Sequence, residues 1–158
     1  MPPTLYAAVK IVPKKKRLPK EFSREETLDS IVSLLNSYFQ PFLAAKFIVE
    51  KSEVKGLLNV QEAPRILQII QLVDLEMYPI RFYYALGVGN INRKIEEEAT
   101  ERGGPAWTGV NRALKEAINS GGRDVCLRLP SPFLTRTVNT LFSIESDLRN
   151  NWRKVLHA

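Results

Sequence analysis

The sequence predicts an α+β fold, in which a mixed sheet of about five strands carries helices and residues 1–158 form a single domain. Three observations support this prediction. Short apolar or alternating runs are typical of strands, and they alternate along the chain with segments whose apolar residues recur every three or four positions, as in helices. Two strand-like runs are separated by only three residues, as in a hairpin. The chain is 44% hydrophobic and 25% charged, which is the balance of a soluble protein that can bury a core.

Local signals place the elements of the first half. Ser23 and Glu26 have the spacing of a capping box, so a helix begins there, and Pro41 ends it. Pro64 suits the first turn of a second helix because its missing N–H is unpaired there in any case. The predicted elements are a strand at 5–12, a helix from Ser23 to Pro41, hairpin strands at 46–50 and 54–58, and a helix from Pro64.

The second half continues with strand, helix, strand and helix. Residues 80–88 are rich in aromatic and branched side chains, as in a strand. A helix follows Pro105 and ends near Asn119, before Gly121-Gly122. A strand near 125–129 comes next. Ser131 and Pro132 then begin a long C-terminal helix that extends over about 132–156.

This order of elements restricts the topology. A helix between the first two strands favours a parallel crossover, whereas the hairpin adds an antiparallel pair, so the sheet is mixed. Helices packed on one face of such a sheet would give a ferredoxin-like, palm-type layered fold. The tip of the first strand and the hairpin turn are then expected to lie close together.

The composition excludes several classes of protein. Cys126 is the single cysteine and cannot form an internal disulfide, which favours a reducing, cytoplasmic location. No stretch reaches the ~18 consecutive apolar residues of a membrane span, and the N-terminus lacks the pattern of a signal peptide. His157 is the sole histidine and lies near the chain end, so histidine-based catalysis and most zinc sites lack ligands.

The net charge of +6 is confined to one segment. Residues 1–20 contain six lysines and arginines and no acidic residue, and subtraction leaves 17 basic against 17 acidic residues in the rest of the chain. Most of the six lie in a proline-bracketed basic loop, residues 13–20. Such a loop could bind nucleic acid without sequence specificity, or it could be a solvated loop that keeps the protein soluble. Its cations are Lys14, Lys15, Lys16, Arg17 and Lys20.

Short strings along the chain resemble a known family. The strings are Leu57-Leu58 after a turn, Ile80-Arg81-Phe82 leading to Gly87-Val88-Gly89, and Gly103-Gly104-Pro105-Ala106 leading to Asn111-Arg112-Ala113. Together, over about residues 5–155, they resemble the SatD family of bacterial proteins, which look like relatives of class III nucleotide cyclases and GGDEF-type palm domains. The resemblance implies a palm-type fold. It also implies a C-terminal helix-turn-helix, which is not expected within this chain.

The chain departs from the metal site that the resemblance implies. In the family pattern two aspartates, one after the first strand and one in the hairpin turn, suit paired Mg²⁺ ions. Here Lys10 and Ser52 occupy those positions. Glu50 and Glu53 remain near the turn and could hold one weak ion, but charges at exposed strand ends are the simpler interpretation. We therefore expect no metal and no catalytic residue, and the sequence favours a non-enzymatic role without excluding an enzyme.

The same departures suggest a metal-free anion site. Lys10 and Lys51 could meet a phosphate directly, and Arg112 could add a bidentate contact. Glycines could let backbone amides approach the anion. For each residue taken singly, strand ends, turns and an Arg112–Glu116 pair are the simpler explanation and the one we favour. The candidate cleft residues are Lys10, Lys51, Ser52, Glu53, Gly87, Gly89, Gly103, Gly104 and Arg112.

The sequence thus favours a non-catalytic binding or regulatory protein with a nucleotide or phosphate ligand and no cofactor. The alternative is sequence-independent binding of nucleic acid through the basic loop. Palm-type domains also pair across their clefts, so a homodimer is a further expectation. A metal-dependent enzyme ranks third.

Overall fold

The computed structural model describes residues 4–14, 24–92, 97–101, 103–119, 125–128, 136 and 138–140. These residues form five strands and three α-helices in the predicted order, and two short 3-10 turns, Gln40–Phe42 and Val60–Arg65, precede β2 and α2. The predicted basic residues 15–20 and most of the C-terminal helix at about 132–156 lie outside the described residues. The elements are β1 (Tyr6–Pro13), α1 (Arg24–Phe39), β2 (Leu43–Glu50), β3 (Glu53–Asn59), α2 (Ile66–Glu76), β4 (Phe82–Gly89), α3 (Pro105–Asn119) and β5 (Val125–Arg128).

The strands form one mixed sheet in the order β2-β3-β1-β4-β5. β1 is central and runs antiparallel to both β3 and β4, whereas β4 and β5 are parallel. β2 therefore runs parallel to β1, as the helical crossover predicts, but β3 lies between them. Ile11 of β1 is paired with Val54 just after the hairpin turn, which brings the tip of β1 and the turn together as expected.

Helices cover both faces of the sheet, whereas the order of elements had suggested helices on one face. One face packs against α1 and α2 through alternate residues of β1, such as Val9 and Ile11. The other face packs against α3, whose Trp107 and Val110 are buried against Ala8 and Ala85. Strand alternation explains the two faces, because successive side chains of β1 and β4 point in opposite directions. The α+β class with a five-stranded mixed sheet is confirmed.

An asparagine side chain meets each edge strand of the sheet. Asn36 of α1 donates to the carbonyl oxygen of Phe47 in β2 at 2.9 Å and accepts from its N–H at 2.7 Å. Asn139 makes the same pair of bonds to Leu127 in β5, at 2.9 and 2.7 Å. A short segment near Glu98 also pairs with Lys46 on the outer side of β2. Backbone groups on both edges are thereby hydrogen-bonded by neighbouring elements.

No helix within the described ranges is long and apolar enough to cross a membrane.

Candidate functional site

Two buried lysines face each other on the α3 side of the sheet. Lys10 of β1 and Lys55 of β3 are register partners. Their exposed fractions are 3% and 1%, which is unusual because a buried ammonium group is stable only when carboxylates or other acceptors replace its water. The acceptors come from the hairpin, from α3 and from the segment between β4 and α3.

Glu101 connects the two lysines. Its Oε1 accepts from Lys10 Nζ at 2.9 Å and from Lys55 Nζ at 3.0 Å, and its Oε2 accepts from Asn111 Nδ2 at 2.6 Å. Asn111 also accepts from Lys10 through Oδ1. Glu53 Oε1 lies 3.1 Å from Lys10 Nζ. We call the group Lys10, Lys55, Glu50, Glu53, Glu101 and Asn111 the ion cluster.

The cluster shifts the titration of its members. Burial alone would raise the pKa of Glu101, but hydrogen bonds from Lys10, Asn111 and Lys55 lower that pKa to about 2. For Lys55, burial would lower the pKa, but hydrogen bonds to Glu50 and Glu101 leave it raised above its ordinary value. The carboxylate of Glu101 and the ammonium group of Lys55 therefore both stay charged at neutral pH.

Of the predicted cleft residues near the hairpin, two belong to the ion cluster and two lie in the exposed turn. Lys10 and Glu53 are brought together, as the neighbouring tips of β1 and the turn require. Lys51 and Ser52 form the turn itself, with φ of 53° and 61°, and both side chains are exposed. The carbonyl oxygen of Ser52 accepts from Arg24 of α1 at 3.4 Å.

Glu50 and Glu53, the two possible ligands for a weak metal ion, are engaged by lysines. Lys55 Nζ lies 2.9 Å from Glu50 Oε1 and 3.8 Å from Glu53 Oε1. Within the described ranges no group of three or more histidine, cysteine or acidic side chains is arranged to hold a metal ion. The carboxylates here have ammonium groups as their counterions.

An open groove lies beside the cluster, at the N-terminal half of α3. Its volume is about 560 Å³. Two arginines line it, Arg112 from α3 and Arg128 from the end of β5, and Arg112 is exposed. The remaining lining residues are Val88, Asn92, Gly104, Pro105, Thr108 and Gly109. We call this feature the arginine groove.

The two arginines differ in their contacts. Arg112 makes no hydrogen bond or ion pair within the described part of the chain, so the predicted alternative, a pair with Glu116, is not formed. Glu116 instead accepts from Nη2 of Arg128 through Oε1 and from the Cys126 thiol through Oε2, at 3.4 Å for the thiol. The Nε of Arg128 is buried and has no hydrogen-bond partner among the described residues.

The four predicted glycines serve two purposes. A Cβ at Gly87 would lie 2.2 Å from the backbone nitrogen of Val110, and one at Gly89 would lie 2.8 Å from that of Ala106. These two glycines therefore let α3 approach β4, and the helix occupies the space beside them. Gly103 and Gly104 adopt φ of 93° and 109° in the turn before α3, and Gly104 lines the arginine groove.

The structure thus divides the predicted cleft into two neighbouring features. Lys10 and Glu53 belong to the ion cluster, whereas Gly104 and Arg112 belong to the arginine groove; the adjacent residues Asn111 and Arg112 link the two along α3. Whether these residues bind a ligand stays a prediction, as does nucleic-acid binding by the basic loop. Lys14, the one basic residue of that loop within the described ranges, has its Nζ 5.2 Å from the ring centre of Tyr83.

Sequence reasoning missed several members of both features. Lys55 could have been found, because a lysine at a buried position of a strand signals a carboxylate partner, and Lys10 lies directly opposite. Glu101 lies in a polar stretch without periodicity and gives no such signal. Arg128 follows the short strand β5, and its place beside α3 depends on the parallel β4–β5 pairing. The residues missed were Lys55, Glu101, Asn111, Asn92, Thr108, Glu116 and Arg128.

Comparisons with known proteins give one match. A family model described as SatD family (SatD) matches residues 7–157 of the chain. No curated protein and no solved structure matches it.

Proposed function

The chain belongs to the SatD family, and we propose that this member is a non-catalytic binding protein that takes a phosphate-bearing ligand of mononucleotide size into the arginine groove without a metal ion. The observation that carries the proposal is the pair of arginines, Arg112 and Arg128, which line one open groove with donors to spare. Guanidinium groups match the geometry of phosphate oxygens and form charge-assisted hydrogen bonds with them.

The polar groups around the arginines suit an anion. Arg112 has no competing acceptor within the described ranges, and the Nε of Arg128 lacks a partner. Thr108 supplies a hydroxyl group and Asn92 a side-chain amide at the wall. A volume of about 560 Å³ lies within the range of pockets that bind small molecules, which supports a ligand of mononucleotide size.

The lining also supports a non-catalytic role. General acid–base chemistry uses histidine, carboxylate, lysine, tyrosine or cysteine side chains, and two-metal phosphoryl transfer needs groups that hold the metal ions. The residues that line the groove include no histidine, carboxylate, lysine, tyrosine or cysteine. In the neighbouring ion cluster the carboxylate of Glu101 is paired with Lys10 and Lys55, which supply positive charge that a divalent ion would otherwise bring.

Lys10 does not contact the ligand in this proposal. Its ammonium group is 3% exposed and is engaged with Glu53, Glu101 and Asn111, so it is not free to bind a ligand. Through Asn111 it positions the helical turn that carries Arg112. The ligand-contacting residues are therefore Arg112, Arg128 and the backbone near Gly104.

A thermal-shift screen tests the proposal. The purified protein is heated with nucleotides, cyclic nucleotides, inorganic phosphate and short DNA, each with and without Mg²⁺. A ligand at one hundred times its dissociation constant stabilises the fold by about 2.7 kcal/mol, a shift of several degrees for a chain of this size. We expect a mononucleotide to raise the melting temperature equally with and without Mg²⁺.

Two matched variants locate the site. Arg112→Gln removes a charge from the groove, and Lys115→Gln removes a charge from the same helix at an exposed position that does not line it. We expect only Arg112→Gln to reduce the shift. A shift that needs Mg²⁺ would contradict metal-free binding. A response to DNA alone that disappears as salt rises would instead favour the basic loop.

A further inference from the structure

Glu116 occupies a particular position next to the arginine groove. It lies one helical turn after Arg112 on α3, and its carboxylate accepts from Nη2 of Arg128 and from the thiol of Cys126. Glu116 does not line the groove itself. It therefore contacts one of the two groove arginines from outside the groove.

This contact engages only one of the two parallel donors of Arg128. An arginine offers two parallel donors, Nε–H and Nη2–H, to a bidentate acceptor. In this structure Glu116 accepts from Nη2, while Nε is buried without a partner among the described residues. A buried donor without an acceptor is destabilising, so an acceptor that reached Nε would stabilise the guanidinium group.

From these contacts we propose that Glu116 is a resident competitor for Arg128: a ligand phosphate binds Nε and Nη2 together and displaces the Glu116 carboxylate. The inference rests on the proposed function, because it assumes a phosphate in the arginine groove. It adds that Glu116 sets the affinity of the groove for the phosphate ligand. Glu116 weakens binding in two ways, since it holds one donor and places a negative charge beside the anion.

Displacement of Glu116 does not bury its carboxylate. Its side chain is 42% exposed, so the released carboxylate is rehydrated by solvent rather than buried. The Cβ of Arg128 lies beside Gly109 of α3, 3.5 Å from the position that a Cβ on that glycine would take. Because Nε is buried, the guanidinium group has to turn toward the groove to offer Nε and Nη2 together.

The test compares Glu116→Gln with a control of equal charge. Glu76→Gln removes an exposed acidic side chain at the end of α2, on the other face of the sheet. Dissociation constants for AMP and inorganic phosphate are measured by calorimetry for the unmodified protein and both variants. We expect Glu116→Gln to bind about fivefold more tightly, which corresponds to about 1 kcal/mol, and Glu76→Gln to bind as the unmodified protein does.

A second measurement reports the exchange itself. In ¹H–¹⁵N spectra of arginine side chains, the Nε–H signal of Arg128, assigned with an Arg128→Lys variant, should move downfield when phosphate or AMP is added. The same signal should differ between the unmodified protein and Glu116→Gln before addition.

The outcomes separate the two proposals. Tighter binding by Glu116→Gln with a shifted Arg128 signal supports both, even where the unmodified protein binds too weakly to measure. If the unmodified protein binds and Glu116→Gln binds equally well or more weakly, the proposed competition by Glu116 is overturned and the proposed function is not. Glu116 is then a positioning residue for Arg128. The absence of binding by all three proteins overturns the proposed function and the competitor with it.

Discussion

Glu101 should contribute a pH-dependent part of the stability. Its carboxylate bridges Lys10 and Lys55, and its pKa falls from 4.5 to about 2 in the folded protein. Each pKa unit corresponds to about 1.4 kcal/mol, so the full contribution at neutral pH is roughly 3 kcal/mol. The side chain is 24% exposed, and solvent screening reduces this figure to about 2 kcal/mol.

The direction of the pH dependence follows from the depressed pKa. The unfolded chain binds a proton on Glu101 at higher pH than the folded protein does, so the contribution is complete above pH 4.5 and is lost as the pH falls through about 2. At pH 3 the same relation leaves roughly 40% of the neutral value, which is about 1 kcal/mol.

Urea unfolding of Glu101→Gln at pH values from 7 to 3 measures this contribution. We expect the variant to be less stable than the unmodified protein by about 2 kcal/mol at pH 7, and we expect the difference to shrink by more than half at pH 3. Glu97→Gln is the matched control, since Glu97 lies in the same segment but is 87% exposed and 3.7 Å from Lys46. That control should change the stability by less than about 0.5 kcal/mol.

Two results would refute the reasoning about Glu101. A difference that stays constant between pH 7 and pH 3 would show that hydrogen-bond geometry, rather than the charge, is what Glu101 contributes. A loss at pH 7 no larger than that of Glu97→Gln would show that the ion cluster is a solvated surface network.

Two further substitutions test the packing around the site. Lys10→Met removes one ammonium group from the ion cluster and leaves Glu53 without its closest counterion; we expect a loss of about 3 kcal/mol in chemical denaturation, against less than about 0.5 for Lys51→Met in the exposed turn. Equal effects of the two would contradict a buried cluster. Gly87→Ala places a Cβ 2.2 Å from the backbone of Val110, so α3 must shift, and we expect a loss of about 3 kcal/mol in the free energy of unfolding. Gly109 lies within α3, and a Cβ there would have its nearest neighbours, in β4 and β5, at 3.5 Å, so Gly109→Ala should instead stabilise the protein by up to about 1 kcal/mol. A neutral Gly87→Ala would show that α3 and β4 are loosely packed.

Local patterns were sufficient to predict most elements of the fold. The helix after Pro105 and the hairpin around residues 51–52 appear where proline and strand alternation place them. The family was predicted from its short strings and is confirmed. What local patterns do not contain is the face that each helix covers, since a helix can cross to either side of a sheet with the same amphipathic sequence. The position of α3 opposite α1 and α2 is therefore information that only tertiary packing supplies.

Only part of the candidate site was predicted, because local patterns do not contain the tertiary packing that completes it. Lys10 and Glu53 are neighbours because strand register, which alternation reveals, brings them together. Arg128 and Glu101 reach the site from distant segments, and their partners depend on the β4–β5 pairing and on the path of a segment without periodicity. The glycines illustrate the limit most clearly: a glycine signals close approach, but the sequence does not say whether a helix or a ligand approaches. At Gly87 it is the helix.

The asparagines at the two edge strands affect whether a further strand can be added to the sheet. An open sheet normally invites a further strand along its rim, which is how many proteins recruit extended peptides or aggregate. Asn36 and Asn139 each bind the N–H and the carbonyl of one edge-strand residue through a side-chain amide, and the segment near Glu98 pairs with β2 at Lys46. A strand added at these positions would therefore have to displace contacts that the fold already makes.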